Sequence, residues 1–513
     1  MMAGSRVVRG AAKGFASFLA VLEKVGNRVP QPFVLFCWLF VLVALASTIA
    51  DVLGASVTVP GRDQVLDVRG VLSLDGLLYL LGHVITNFIE FPGLGNIFVM
   101  VMAVNVTMGT GFLEAGVRWL LSRVPDRGVP YAVAFVAAQG HVFSDASYFV
   151  IAPLGAVAFK AADRNPLAGL IGAYACLQGG YAGGFVIGTL DATYIAITEA
   201  AVQLVPGLPP VDVHIAMNYF FTTAVGLIFP LVGGWLIAHV LEPRLPGRGE
   251  VLTERVELAP EQRRGLVMAM AAVSAYLVLL AVGTLVPGTP FHGVDGTLLS
   301  SPLLENLVAV IGAAFVLVGV VFGLVAGTLT KENGLQVLMT KGMRDIAGPT
   351  VVVFVIAQVF GVLTWSNLGG VLAIGLADLA KSLHVDGFLA LLVMVCVSAA
   401  LNMVITGGGS LWSLVGPVMV PSLMLLGLSP AVIQAAHRIG DSTTTLITPM
   451  SVFLVVLLSM AREYEPGLRL GTLMTRLAIF VIPYFAVWLG VLGIFYFLDL
   501  PLGPGAGVEL GAR

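Results

Sequence analysis

Long uncharged stretches recur along the chain near residues 33–50, 97–113, 128–143, 167–190, 216–240, 265–286, 304–329, 348–364, 387–406, 430–460 and 477–498. Most approach the roughly 20 residues a helix needs to cross a hydrocarbon core, so the pattern predicts an all-α polytopic membrane protein. Two regions, about 128–200 and about 387–460, are more elaborate, and in the same way. In each, an apolar span leads into a turn of small and polar residues, S-D-A-S at 144–147 and T-G-G-G-S at 406–410. A hydrophobic stretch with an internal proline follows, and the interval from Pro153 to Pro166 equals that from Pro417 to Pro430. A long helix broken by small residues closes each unit, at Q-G-G-Y-A-G-G (178–184) or D-S-T-T-T (441–445).

This punctuation predicts two re-entrant hairpins, each followed by a discontinuous helix. Non-helical backbone at membrane depth is tolerated only where protein or a water-filled cavity satisfies it, as in secondary transporters. The other reading, glycines that merely let helices approach, predicts spaced small residues and not paired breaks beside acidic groups. The first unit begins beside Arg127 and carries Lys160 and Arg164 at its hairpin base. The second begins near Val385, and its base, L-L-G-L-S-P, has no charge, so the two are expected to be inverted repeats within a single 1–513 transporter domain.

Composition strengthens the membrane reading: 58% of residues are hydrophobic and 11% charged, against about 25% charged in a soluble domain. Of the 26 Lys and Arg, all but five gather before the first span and at 118–127, 160–164, 244–264, 331–344 and 462–476. Arg62, Arg69, Lys381 and Arg513 fall on the other side, which predicts a cytoplasmic N-terminus, a periplasmic C-terminus and a place in a bacterial inner membrane. The residues before Phe33 lack a short apolar run with a small-residue cleavage site and read as a cytoplasmic lead-in. Cys37, Cys176 and Cys396 lie in apolar stretches and are expected to pack, not to form disulfides or a metal cluster. Nothing supports a nucleic-acid partner. No G-x-x-x-x-G-K-[ST], H-E-x-x-H or G-x-S-x-G occurs, so neither ATP coupling nor an enzyme is expected. A proton or sodium gradient, with no cofactor, is the expected energy source.

Ionisable residues inside membrane spans are costly and functional by default. Asp145 lies at the first hairpin, Asp191 after the first helix break, and His437, Arg438 and Asp441 at the second. Arg438 is the one Arg or Lys that cannot be moved to a membrane boundary. It is expected to bind the negative group of a small organic anion while Asp441 holds the guanidinium; a closed Arg438–Asp441 pair that locks the break is the alternative. Asp191 is expected to sense the coupling ion or proton, and a helix cap is its plainer role. Trp412 follows the turn containing Gly409 and Ser410, where backbone N–H groups and a helix N-terminus suit a carboxylate and the indole offers an aromatic wall. The place of Trp412 inside a hairpin favours this over an interfacial anchor. Asn402 is either a cation ligand or an interhelical hydrogen-bonding residue. His141 is either a proton-transfer group or, as favoured here, a core imidazole bonded to backbone. No metal-ligand set is apparent.

Several segments resemble the AbgT family of p-aminobenzoyl-glutamate transporters: E-K-V-G-N-R-V-P-Q-P (23–32), S-D-A-S-Y-F-V-I-A-P-L (144–154), N-P-L-A-G (165–169), I-G-T-L-D-A (187–192), W-S-N-L-G (365–369) and A-A-H-R-I-G-D-S-T-T-T-L-I-T-P (435–449). The last is the most specific. The resemblance implies a homodimer whose protomers have about nine transmembrane helices, two opposed hairpins and a basin reaching from the cytoplasm to mid-membrane. It also implies gradient-driven transport of p-aminobenzoyl-glutamate or a related aromatic or carboxylate anion. The alternatives are proton-driven export of sulfonamide antimetabolites and the dicarboxylate carriers of the wider superfamily. The family's functional positions match Asp191, Trp412, Arg438, Asp441 and Pro449. The chain departs from the family pattern with Gly409 for a substrate-contacting Ser, Leu411 for Lys, Gly184 and Thr445 for Asn, and Thr189 for Pro.

Overall fold

The structure, a computed structural model, describes residues 30–59, 65–92, 94–142, 147–205, 211–246, 258–293, 301–405, 407–448 and 451–511. Helix α1 (Pro32–Val52) is followed by a small antiparallel pair, β1 (Ser56–Thr58) and β2 (Val65–Asp67), a minor departure from an all-helical chain. Helices α2 (Leu74–Ile89), α3 (Leu94–Gly109) and α4 (Phe112–Leu121) lead to the first elaborate unit. That unit comprises α5 (Val129–Ala138), α6 (Ser147–Ala161), α7 (Pro166–Gly179) and α8 (Thr189–Val202). Next come α9 (Tyr219–Leu236), which continues through a π-helical turn, α10 (Pro260–Leu285), α11 (Pro302–Glu305), α12 (Leu307–Ala326), α13 (Leu335–Trp365) and α14 (Leu368–Ser382). The second unit is α15 (Gly387–Asn402), α16 (Gly408–Met424), α17 (Pro430–Thr444) and α18 (Val452–Ala461), and α19 (Leu470–Phe497) ends the helices.

Among the described residues, seven segments are long and apolar enough to cross a membrane, 32–52, 74–109, 219–244, 260–285, 307–326, 335–365 and 470–497, and the pair 368–382 and 387–402, bent by 120°, makes an eighth if it is one span. Helices α1 and α10 turn much of their apolar surface outward, as lipid-facing spans do. Helices α7 and α17 do the opposite: every residue of α7 and all but Thr444 of α17 are buried, and each is too short to span alone. They start alike. Asn165 and Ser429 occupy the N-caps, their side chains accepting from Leu167 N and Val432 N, and Pro166 and Pro430 follow at the first helical position, where no N–H is needed.

The units interlock. Within each, the hairpin packs on the following helix, α6 on α7 and α15 on α17. Across them, α16 packs on α8 and α6 on α18, so each hairpin's second arm lies against the other unit's post-break helix. Their bases are held differently. At the first, Arg164 pairs with Glu242, and Glu242 Oε1 also accepts from Asn165 N at 3.2 Å. At the second, the segment 502–510 clasps the base by backbone bonds, with Ser429 N donating to Val508 O (2.9 Å) and Leu510 N to Gly427 O (2.7 Å). The same segment reaches α9, where Phe220 N and Phe221 N donate to Leu502 O.

Cys176 is buried, as expected, but Cys396 is exposed on α15 and packs against nothing that would bury it, while all three cysteines are free. The apolar pattern could not separate these cases, because a lipid-facing position and a core position are equally hydrophobic.

Candidate functional site

Where α7 ends, the chain leaves helical geometry over 180–188 and re-enters it at α8. Gly184 sits there with φ +134°, and a Cβ on it would lie 2.4 Å from His141 Cε1 and 2.7 Å from Gln139 Oε1. Only glycine suits that backbone and that space. Gln139 Oε1 accepts from Phe185 N, and His141 Nε2 lies 2.6 Å from Val186 O, so two side chains from the end of the first hairpin arm satisfy backbone exposed by the break.

Arg438, on α17, reaches into this break. Its Nη1 donates to Ala182 O at 2.8 Å, and its Nη2 donates to Asp191 Oδ1 at 2.7 Å and to Gln434 Oε1 at 3.1 Å. Asp191 Oδ2 accepts from Gly188 N at 2.9 Å, so Asp191 caps α8 as well as pairing with Arg438. The positive end of α8 supports that carboxylate. Arg438 and Asp191 are both buried, and their pair joins the two units across the middle of the molecule.

This corrects the expectation that Asp441 holds the guanidinium. The spacing of Arg438 and Asp441 permits contact, but Tyr194 on α8 donates its hydroxyl to Asp441 Oδ2 at 2.7 Å and captures that carboxylate instead. The tyrosine ring also stacks under the guanidinium, 4.9 Å from ring centroid to Arg438 Cζ. Gly408 closes the arrangement, since a Cβ there would be 2.2 Å from the Tyr194 hydroxyl and 2.5 Å from Asp441 Oδ2.

Trp412 is wholly enclosed. Its Nε1 donates to Thr198 Oγ1 at 3.0 Å and its ring lies 4.5 Å from the His437 ring, so in this conformation it is neither an interfacial anchor nor an open wall. His437 Nδ1 is 3.0 Å from Ser398 Oγ. Asn402 Nδ2 donates to Asp441 O, Thr444 Oγ1 and Thr445 Oγ1 at 2.6–2.9 Å, which makes it an interhelical tie, while its buried Oδ1 has no partner. Gly409 and Ser410 lie in the first turn of α16, with Gly409 O accepting from Ser413 Oγ. Asp145 and Pro449 lie outside the described residues. Among those described, no group of three or more His, Cys, Asp or Glu is placed to hold a metal ion.

Sequence reasoning missed Tyr194, Thr198, Asn218 and Gln434. Gln434 Oε1 accepts from Arg438 and from Asn218 Nδ2 (2.9 Å), and Gln434 Nε2 donates to Thr198 Oγ1 (2.8 Å). Gln434 precedes Arg438 by one helical turn on α17, and an uncharged amide in so buried a helix was a usable signal.

Residues 17–510 match the model of the AbgT putative transporter family. The chain belongs to this family. As an AbgT-family protein it is a membrane transporter and not an enzyme. It is 32% identical to the p-aminobenzoyl-glutamate transport protein of Escherichia coli (strain K12), over 94% of this chain and 95% of that one. Its fold is similar to that of the Alcanivorax borkumensis YdaH transporter, whose structure is described as having an unusual topology (TM-score 0.87, 30% identity, 93% of this chain and 100% of that chain). It is also similar to Neisseria gonorrhoeae MtrF, described as illuminating a class of antimetabolite efflux pumps (TM-score 0.89, 30% identity, 95% and 100%). The re-entrant hairpins expected from the sequence thus belong to an AbgT-family transporter fold.

Proposed function

We propose that this transporter carries p-aminobenzoyl-glutamate or a related aromatic carboxylate anion, driven by an ion gradient, with Arg438 as the anion's receptor. The observation that carries this reading is the buried Arg438–Asp191 bridge between the two helix breaks. A guanidinium presents a planar fork that suits a carboxylate, and here the protein's own carboxylate occupies it. An incoming substrate carboxylate takes the place of Asp191 on Arg438. Asp191, released from Arg438, then takes up the coupling ion in its place, so that the buried carboxylate is not left without a partner. Substrate and coupling ion are linked because they compete, through opposite charges, for one bridge. The inverted arrangement of the two units, inferred from the charge pattern, lets the bridge open toward either side in turn.

Asn402 supports the coupling half of this proposal, since its unpartnered Oδ1 lies beside the second break and suits a cation. The likeness to MtrF supports a second reading, export of an antimetabolite whose anionic group takes the same place on Arg438.

Equilibrium binding to purified, monodisperse Arg438→Lys protein tests the receptor role. The charge is kept and the fork is lost, so affinity for the anion should fall while the protein stays folded; wild-type affinity would sink the assignment. Uptake by proteoliposomes, across aromatic and aliphatic anions under imposed proton or sodium gradients, distinguishes the substrates and the coupling ion. Gradient-driven transport by Asp191→Asn at the wild-type rate would remove Asp191 from coupling.

A further inference from the structure

The Arg438–Asp191 bridge borders a small cavity, and a single turn of chain divides that cavity from a second recess beside the base of the second hairpin. Ile215 and Asn218 line the inner cavity together with Arg438 and Asp191. Met217, from the same turn, lines the outer recess together with Ser429, Pro430 and the segment 505–507. Ile215, Ala216 and Met217 are all buried, so the turn is a closed wall between the two spaces. A helical rise of about 1.5 Å per residue along α17 puts Ser429, at the outer side, about 13 Å from Arg438 at the inner side.

The segment 502–510 lies across the seam between this wall and the hairpin base, and it is bonded to both. On the wall side, Leu502 O accepts from Phe220 N (2.8 Å) and Phe221 N (3.1 Å), and Pro504 O accepts from His214 Nε2 at 2.9 Å. On the hairpin side, Ser429 N and Leu510 N make the two backbone bonds already described, Ser429 Oγ donates to Gly507 O at 2.6 Å, and Leu428 and Glu509 face each other as antiparallel partners. The two holds are unequal. The hairpin side is a short ladder, whereas the wall side shares one carbonyl between two N–H groups and otherwise depends on a single imidazole. Gly503 lets the strap lie flush on the wall, since a Cβ there would be 2.1 Å from Ala216 O and 2.6 Å from Met217 C. Both are backbone atoms, which cannot turn aside as a side chain can.

We infer that residues 502–510 are a gate strap of the transporter, on the side of the membrane that carries the C-terminus. The strap parts from residues 214–221 while staying on the hairpin base, and the wall at 215–218 then opens a way from the bridge to that side. A secondary carrier exposes its central site to the two sides in turn, and a seam joined by two unequal sets of bonds opens at the weaker one. Gly503 and His214 are the positioning residues of the closed state. The gate serves whatever is carried and is independent of Arg438 as an anion receptor.

The test places a thiol on the inner side of the wall with Ile215→Cys, in full-length protein carrying Cys37→Ser and Cys396→Ser. Native Cys176, buried against Tyr484, is kept as the internal control. A membrane-impermeant maleimide is applied to vesicles on the side that carries the C-terminus; the inner cavity is too small to admit it while the wall is closed, so labelling at position 215 reports opening. Gly503→Ala should speed that labelling about 10-fold or more, because its methyl group props the strap off the wall. His214→Ala should speed it about 5-fold through the loss of one hydrogen bond. Labelling of Cys176 should not change in either. A disulfide between Leu428→Cys and Glu509→Cys, a pairing whose Cα separation of about 4.5–5.5 Å suits one, should leave labelling at 215 unchanged, because the strap stays on the hairpin. Equal rates with and without Gly503→Ala, no labelling at 215 in any variant, an equal acceleration at Cys176, or a block by the disulfide each overturns the gate. Should Gly503→Ala fail to fold, His214→Ala decides by the same rates.

Discussion

The two helix breaks occupy equivalent places in their units and are built from opposite materials. The first is made of backbone: around Gly179, Gly180, Gly183 and Gly184 the helix opens, and Arg438 and His141 come in to the Ala182 and Val186 carbonyls while Gln139 accepts from Phe185 N. The second is made of side chains: Asp441, Thr444 and Thr445 tie back to Asn402 and Tyr194. A break lined with backbone presents fixed dipoles and has little to rearrange. One lined with hydroxyls and carboxylates can trade partners. The cation belongs to the second unit and its counter-charge to the first, so neither unit holds a satisfied site by itself. One unit thus acts as a receiver and the other as an inserted arm.

Five substitutions, two of them combined in one protein, test that division. Removing the arm should have the largest effect: Arg438→Met leaves Asp191 buried without its cation, at a cost of roughly 3–5 kcal/mol. Thermal unfolding in detergent should show the loss, and Asp191→Asn in the same protein should restore part of it; no restoration would break the pairing. Next is Gly184→Ala, whose methyl group meets His141 at a backbone φ of +134°. It should destabilise by about 1–3 kcal/mol, and wild-type thermal stability would show that the first break tolerates a side chain after all.

At the second break, Thr445→Ala removes one of several ties to Asn402 and should cost about 1 kcal/mol, the usual net worth of a hydrogen bond. A loss as large as that of Arg438→Met would mean that the second break is no more adaptable than the first. The smallest change is expected away from both. Glu114→Gln disrupts the half-exposed Arg118–Glu114 pair on α4 and should shift stability by less than about 1 kcal/mol, diminishing further with salt.

Much of the architecture was legible because membrane spans, turns and prolines leave strong local marks. Pro166 and Pro430 stand at matching helix starts, and the small-residue motifs before Ser147 and Gly408 fall between successive helices. Arg438, Asp191 and Asp441 were visible for the same reason, as ionisable residues in apolar surroundings. Their pairing was not. Arg438 and Asp191 are 247 positions apart, and which carboxylate faces the guanidinium depends on how α17 packs on α8, a tertiary outcome that i, i+3 spacing cannot rank. Trp412 was singled out as an aromatic wall for a ligand, and its enclosure by Thr198 and His437 was not legible because it depends on partners from other helices. Asn218 carried the faintest mark of all, a single amide at the N-cap of α9.

The clasp formed by residues 502–510 has a practical side. Hairpin motion at the second unit acts on a base whose backbone is already bonded to Val508, Leu510 and, through Leu502, to α9. Anything attached just beyond those residues, an affinity tag, a fluorescent reporter or a nanobody, pulls on a lever connected to the hairpin and not on an inert tail. Labels intended to report on transport without altering it therefore belong elsewhere, and a deliberate load applied at this point offers a mechanical handle on the second hairpin that passes through no substrate-binding residue.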